Sequence, residues 1–215
     1  MAQYNQFVSR SQEVGGGIPV WVRIPEKRVA GWLLKNQLKI GEVVASGSPI
    51  EYNHKTHEGR ILKCFEVISA TTGTDSDVIV LKKTARTPQL YSGMNVMVCP
   101  STLTGKGTAI TLSDSMIKVG ENDYTITVST GALGALTSVK AGSFIVEAAD
   151  AGASKAMYAI PNELIVDDTI GGNQNAGSIA FGIKNIYENM IPAMPDIVKN
   201  NIKYVEWEWF PEKGE

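Results

Sequence analysis

The sequence predicts an all-β protein: a barrel- or sandwich-like domain with an inserted smaller β subdomain and few short helices. Apolar residues alternate with polar ones over short runs instead of recurring at helical spacing. Those runs are rich in β-branched residues, which suit a pleated, half-buried surface. Turn-forming residues then punctuate the chain at short intervals, as barrels and sandwiches require.

In chain order, the first predicted strands are 18–24 and 30–34. Gly47-Ser48-Pro49 then turns the chain into a strand at 50–52, and Asn53 and Gly59 bracket a hairpin loop before the strand at 60–68. Thr72-Gly73-Thr74 separates that strand from 78–82, and Ser92-Gly93 precedes 94–99. Gly105-Lys106-Gly107 leads into 109–112, and Gly120-Glu121-Asn122-Asp123 into 124–129. Strands at 143–147 and 157–160 follow. Gly171-Gly172-Asn173 comes before 178–186, and the last strand spans 205–210. Only 192–201 (PAMPDIVKNN) and 138–141 read as helical, both short.

Three parts of the chain stand apart. Residues 1–17 are polar, carry the apolar anchors Tyr4, Phe7, Val8 and Val14, and end in the joint Gly15-Gly16-Gly17. They read either as a disordered terminus or as an arm that orders only on a partner. Residues 70–153 read as an inserted β subdomain, bounded by the small-residue stretches SATTGTDSD and EAADAGASK, and 18–69 plus 154–215 form the main domain. In the closing strand, alternation puts Val205, Trp207 and Trp209 on one face and Tyr204, Glu206, Glu208 and Phe210 on the other. The tryptophan face is expected to seal the core, since each indole offers roughly 150–250 Å² for burial. The Tyr204 and Phe210 side is left to meet another subunit.

Charge and composition narrow the function classes. The chain is 43% hydrophobic and 20% charged with net charge −2, which gives no bulk attraction to nucleic acid or an anionic membrane. No apolar run has the length of a signal peptide core or a membrane span, so synthesis in the cytoplasm is expected. Cys64 and Cys99 lie in apolar strands and read as reduced, buried small hydrophobes, with a disulfide between them as the alternative.

The motifs that resemble chemistry fall short of it. His54 and His57 flank a turn instead of sharing a helix face, so they read as solvated loop residues, not metal ligands. Asp75 and Asp77 open like a calcium loop that Ile79 interrupts. Asp167-Asp168 lacks a second carboxylate that spacing would place across a cleft. Gly105-Lys106-Gly107 fails the phosphate-loop spacing at Pro100 and at Gly107. The four tryptophans (Trp21, Trp32, Trp207 and Trp209) read as core and rim packing, with a sugar-stacking platform as the alternative. No enzyme, metal or cofactor is expected.

One resemblance covers residues 18–210. KIGEVVASGSPIEYNHKTHEGRILKCFEVIS resembles the opening unit of tailed-phage head fiber and head (capsid) decoration proteins, a Gly turn followed by a small-Gly-x-Pro strand and a hairpin. QLYSGMNVMV and SDSMIKVGENDYTITVSTGALGALTSVKAGSFIVEA are similar to that family's later strands. IAFGIKNIYENMIPAMPDIVKNNIKYVEWEWF resembles its ending, in which Tyr-x-x-x-x-Pro and Pro-x-x-x-Lys precede a final aromatic strand; EWEWF is longer than that ending. The resemblance implies a non-enzymatic bacteriophage or prophage virion protein on the exterior of the phage head. Its partners would be the phage major capsid protein and further copies of itself, a homotrimer being favoured. Candidate capsid or subunit contacts are then Tyr4, Phe7, Val8, Val14, Tyr204 and Phe210. A carbohydrate-binding or adhesin-like β module, with a host-surface glycan as partner, is the competing class.

Overall fold

Alternating apolar runs too short to fold alone must bury their faces against one another, and here they do so through interleaved sheets. The computed structural model describes residues 20–23, 26–29, 33–36, 38–134, 136, 139–171 and 178–211. The strands of the first part are β1 (Trp21–Arg23), β2 (Glu26–Val29), β3 (Leu33–Leu34), β4 (Val43–Val44), β5 (Pro49–Asn53) and β6 (Glu58–Ile61). The middle contributes β7 (Cys64–Thr72), β8 (Ser76–Lys82), β9 (Asn95–Val98), β10 (Gly107–Thr111), β11 (Ile117–Val119), β12 (Asp123–Ser129), β13 (Phe144–Glu147) and β14 (Gly152–Lys155). The last part holds β15 (Glu163–Leu164), β16 (Thr169–Ile170), β17 (Ser178–Phe181), β18 (Lys184–Tyr187) and β19 (Val205–Glu208). The protein is all-β, with several sheets and few short helices.

An eight-stranded sheet in the order β11-β12-β8-β7-β13-β9-β10-β14 forms the centre. Its middle strands are covered on both faces, because consecutive residues Ile145 and Val146, and Val96 and Met97, are all fully buried although they point oppositely. One face packs Phe65, Ile79, Leu81, Ile126 and Ile145 under the loop residues Leu90, Leu133 and Val139. The other packs Cys64, Met97 and Val146 against Trp21, Ile186, Ile191, Val198 and Ile202. That second layer is the three-stranded sheet β1-β18-β19 with the single helical turn Asp196–Lys199. A four-stranded sheet, β15-β5-β6-β3, carries a third cluster around Ile50, Tyr52, Ile61 and Ile165.

The expected insertion boundaries at 70 and 153 fall inside β7 and β14. The cluster on the first face is drawn wholly from residues 65–145, so this stretch supplies its own core. The sheet nevertheless runs unbroken, since β13 pairs with both β7 and β9.

Several elements differ from expectation for identifiable reasons. The strand expected at 60–68 breaks at Leu62-Lys63, where Lys63 turns inward to meet Glu42. The strand expected at 178–186 breaks at Gly182, which takes φ +69° between β17 and β18. Residues 157–160 form only a bridge from Met157 to Ala148. The helix expected over 192–201 shrinks to one turn because Pro195 holds an extended φ/ψ at its start. Residues 139–141 are not helical, and Ser138 lies outside the described residues. The strands β2, β4, β11, β14, β15 and β16 were not expected, being two to four residues long and mostly lacking clean alternation.

The closing strand is corrected most. Trp207 is half-buried against the core, but Trp209 is 62% exposed. The parallel pairing with β18 ends at Tyr187 opposite Glu208, where β18 gives way to the 3₁₀ turn Glu188–Met190. Asn189 then takes over the backbone, donating to the Phe210 carbonyl (2.9 Å) and accepting from its N–H (2.9 Å). Alternation therefore stops one residue before the second tryptophan.

Candidate functional site

The ends of β18 and β19 face the ends of β7, β9 and β13 across an open groove of about 1120 Å³. Cys99 and Phe144 line it from the eight-stranded sheet, Glu188 and Asn189 from the turn after β18, and Met194 and Ile197 from around the helical turn. Trp209 forms one rim with its indole largely in solvent. Most charges in the groove are matched. Lys82 reaches Glu66 at 3.3 Å, and Lys199 is bound to Glu188 and lies 3.6 Å from Asp196. Arg86 is the exception, with no ion pair among the described residues. Burial holds its guanidinium below its usual range, with Asp168 opposing.

The groove's sulfurs are poor nucleophiles. Burial pushes the Cys64 thiol well above its ordinary value and Cys99 up to about 11, so both are protonated at neutral pH. Both cysteines are free. The register explains why: β13 lies between their strands, with Cys64 opposite Val146 and Val146 opposite Met97. Two strand spacings come to roughly 9.5 Å, beyond the ~7 Å Cα separation a disulfide tolerates.

A buried ion cluster lies near the junction of β6 and β7. Glu42 and Lys63 are both 1% exposed and 2.5 Å apart, and Lys63 donates to the Tyr91 hydroxyl at 3.1 Å. Lys39 and Lys63 each stack on the Tyr91 ring, at 4.2 and 4.6 Å. Glu147 is the second carboxylate of this cluster, and its buried Oε2 has no hydrogen-bond partner. Burial raises its pKa to about 7, Lys63 opposing and Glu42 adding to the rise. Sequence reasoning missed the cluster; the available signal was a lysine inside the apolar run ILKCFEVI. A second buried cation, Lys184, is 3.0 Å from Glu163 and donates to the carbonyls of Gly182 (3.3 Å) and Lys203 (3.2 Å). It locks the start of β18 to the residue before Tyr204.

The residues singled out in the sequence are structural where they are described. His54 lies 3.6 Å from Glu163 and edge-on to the Tyr52 ring at 5.0 Å, whereas His57 (φ +57°) meets the Tyr52 hydroxyl through Nδ1 at 2.8 Å, so both rings pack around Tyr52. Among the described residues no three His, Cys, Asp or Glu side chains come together as a metal site. Asp77 is buried and accepts from Gly131 N–H at 2.8 Å, while Asp168 accepts from Ser46 N–H at 2.6 Å, so both carboxylates tie loops. Gly105 closes a turn on Thr102 before β10, a hairpin connection and not a phosphate cradle. Among the described residues no helix is long and apolar enough to cross a membrane.

The two C-terminal candidates separate. Tyr204 is 73% exposed at φ +57°, whereas Phe210 packs edge-on against Tyr187 (centroids 5.0 Å, 88°) and is half-buried. Tyr4, Phe7, Val8, Val14 and Trp32 lie outside the described residues. The described surface thus presents two exposed aromatics, Tyr204 and Trp209, and a groove lined by both polar and apolar side chains. Searches against protein-family models, curated proteins and solved structures give no match to this chain.

Proposed function

We propose that this protein is a non-enzymatic bacteriophage or prophage virion protein, a head fiber or head decoration protein that binds the outer surface of the head as a homo-oligomer, a trimer being favoured. The observation that carries the reading is the run of head-protein-like segments in the same order over residues 18–210. Two features of the molecule support it. The scaffold has a central sheet covered on both faces and buried ion pairs fixing its loops, which suits a protein that must persist on a particle. Its exposed aromatics, Tyr204 and Trp209, flank β19 at its two ends, and each is open to cover by a neighbouring subunit or capsid protein. Light scattering should give an oligomer, and cosedimentation should place the protein with head shells. A monomer that stays in the supernatant overturns the proposal.

Trp209 also favours a second reading. An exposed indole on a groove rim is what a sugar ring stacks on, so the molecule would then be a carbohydrate-binding or adhesin-like module. Glycan-array binding lost in Trp209→Ala, by a protein that ignores heads, selects that reading.

A further inference from the structure

We infer that the buried cluster is a self-modification site: Lys63 Nζ condenses with Glu42 Cδ to an amide (isopeptide) bond, one water is lost, and Glu147 carries the proton. The arrangement of the side chains carries the inference. Lys63 Nζ lies 2.5 Å from Glu42 Oε1, and both side chains are almost wholly buried. The other carboxylate oxygen, Oε2, accepts the Lys39 backbone N–H at 2.9 Å. Glu42 is held from both sides, donating its N–H to the Lys39 carbonyl (3.0 Å) and accepting from Gly171 N–H (2.7 Å). The amine is fixed by Tyr91, whose hydroxyl accepts from Nζ at 3.1 Å. Glu147 arrives by sheet register. Val146 lies opposite Cys64, and Glu147 N–H donates to the Lys63 carbonyl at 3.0 Å, so Glu147 stands opposite Lys63 one step further on. Directly opposed antiparallel residues share a face, with Cβ atoms about 4.5–5.5 Å apart. A plain ion pair needs one carboxylate; here a second one, with a buried Oε2 lacking a hydrogen-bond partner, faces the same amine.

The step balances without an oxidant or a co-reactant. Lys63 passes one proton to Glu42 Oε1, leaving a neutral amine beside a neutral acid, a form that a dry site tolerates better than charges. The nitrogen lone pair then forms the N–Cδ bond, and negative charge gathers on Oε2, where the Lys39 N–H already points. Glu147 takes a proton from the nitrogen and delivers one to the Oε1 hydroxyl. The Cδ–Oε1 bond breaks and water departs, with Glu147 restored. Burial holds the Glu147 pKa at about 7, Lys63 opposing, so both of its protonation states are present at neutral pH, as a relay needs. Burial works against the Lys63 charge, but Glu42 and Glu147 outweigh it and raise its pKa, so the first proton transfer makes closure slow. Until the bond closes, the cluster is an ion pair and responds to substitution as one. Once closed, the bond makes a covalent ring of the chain from Glu42 to Lys63, enclosing β4, β5 and β6. This inference is independent of the virion reading, since it concerns a bond within one chain.

Mass spectrometry of the full-length protein tests it without any variant. After prolonged incubation of the folded protein at neutral pH, the intact mass should lie one water below that of the sequence. Trypsin should then release residues 40–55 joined to residues 61–82, with cleavage after Lys63 lost. Protein kept unfolded in urea should retain its full mass, because closure needs the assembled cluster. Glu147→Gln leaves Lys63 and Glu42 in place and should close about 100-fold more slowly, the scale of a lost proton relay. Lys63→Arg should not form the joined fragment at all. A folded wild-type chain whose mass stays unchanged overturns the inference, as does a water lost elsewhere in the chain on fragment mapping. Closure of Glu147→Gln at the wild-type rate overturns the relay assigned to Glu147.

Discussion

Glu147 sits within reach of a buried lysine that Glu42 already holds, so two carboxylates share one cation in a dry site. Its folded pKa of about 7 lies above the ordinary 4.5, which means the folded state holds this proton more tightly than the unfolded chain. The group costs nothing below pH 4.5. Its penalty grows as pH rises through 4.5–7 and is fully present above 7. Glu147→Gln should therefore stabilise the protein at pH 8 by about 1–3 kcal/mol and leave it unchanged at pH 4.5, read by urea unfolding at both values. A loss of stability at pH 8 would mean that the second charge helps hold Lys63. Removing the cation should act oppositely. Lys63→Met strands Glu42 in the interior and should cost about 3–5 kcal/mol, with Glu42→Gln/Lys63→Met recovering most of it, by the same unfolding measurement. The sequence signalled only one member of this cluster, Lys63 inside the apolar run ILKCFEVI; Glu42 and Glu147 stand far from it and resemble ordinary strand-end charges.

At the scale of elements, the turn before β5 and the strand β19 make the sharpest predictions. Gly47 takes φ +82°, and a Cβ there would lie 2.2 Å from Ile191 Cγ2, so the turn and the loop after β18 fit only without a side chain. Gly47→Ala should cost about 2–4 kcal/mol from left-handed strain and overpacking together, measured by chemical denaturation. The Gly-Ser-Pro turn itself was readable from residue types; its contact with Ile191, 144 positions along the chain, was not. In β19, Trp207→Ala should cost about 2–3 kcal/mol, below a fully buried tryptophan because its indole is only partly buried against the core. Trp209→Ala should stay within about 0.5 kcal/mol. Alternation placed Trp207 against the core but misplaced Trp209, because period-2 logic holds only while a neighbouring strand supports it. That support ends where β18 becomes a 3₁₀ turn, an event set by tertiary packing and not by the letters EWEWF.

The whole molecule shows which patterns survive without tertiary information. Runs such as VIVLK and YTITV, whose alternation is long and whose flanking turns are explicit, became β8 and β12 and carry the buried Ile79, Leu81 and Ile126. Two-residue pairings such as β4 with β16 depend on chain segments meeting across more than a hundred residues, so no local window reveals them. The same holds for the groove, which three strand ends build from distant parts of the sequence, while its rim tryptophan was the only local sign of it. The all-β class was readable; the surface that a partner would meet had to be seen in three dimensions. A rigid scaffold with Tyr204 and Trp209 exposed is the physical basis for proposing an assembly role, and the proposal stands or falls on binding. The most direct measurement is cosedimentation of the purified protein with undecorated head shells of the phage or prophage that carries its gene. The proposal predicts saturable, stoichiometric binding of an oligomer to the shell exterior. A monomer that remains entirely in the supernatant at saturating concentrations would contradict it.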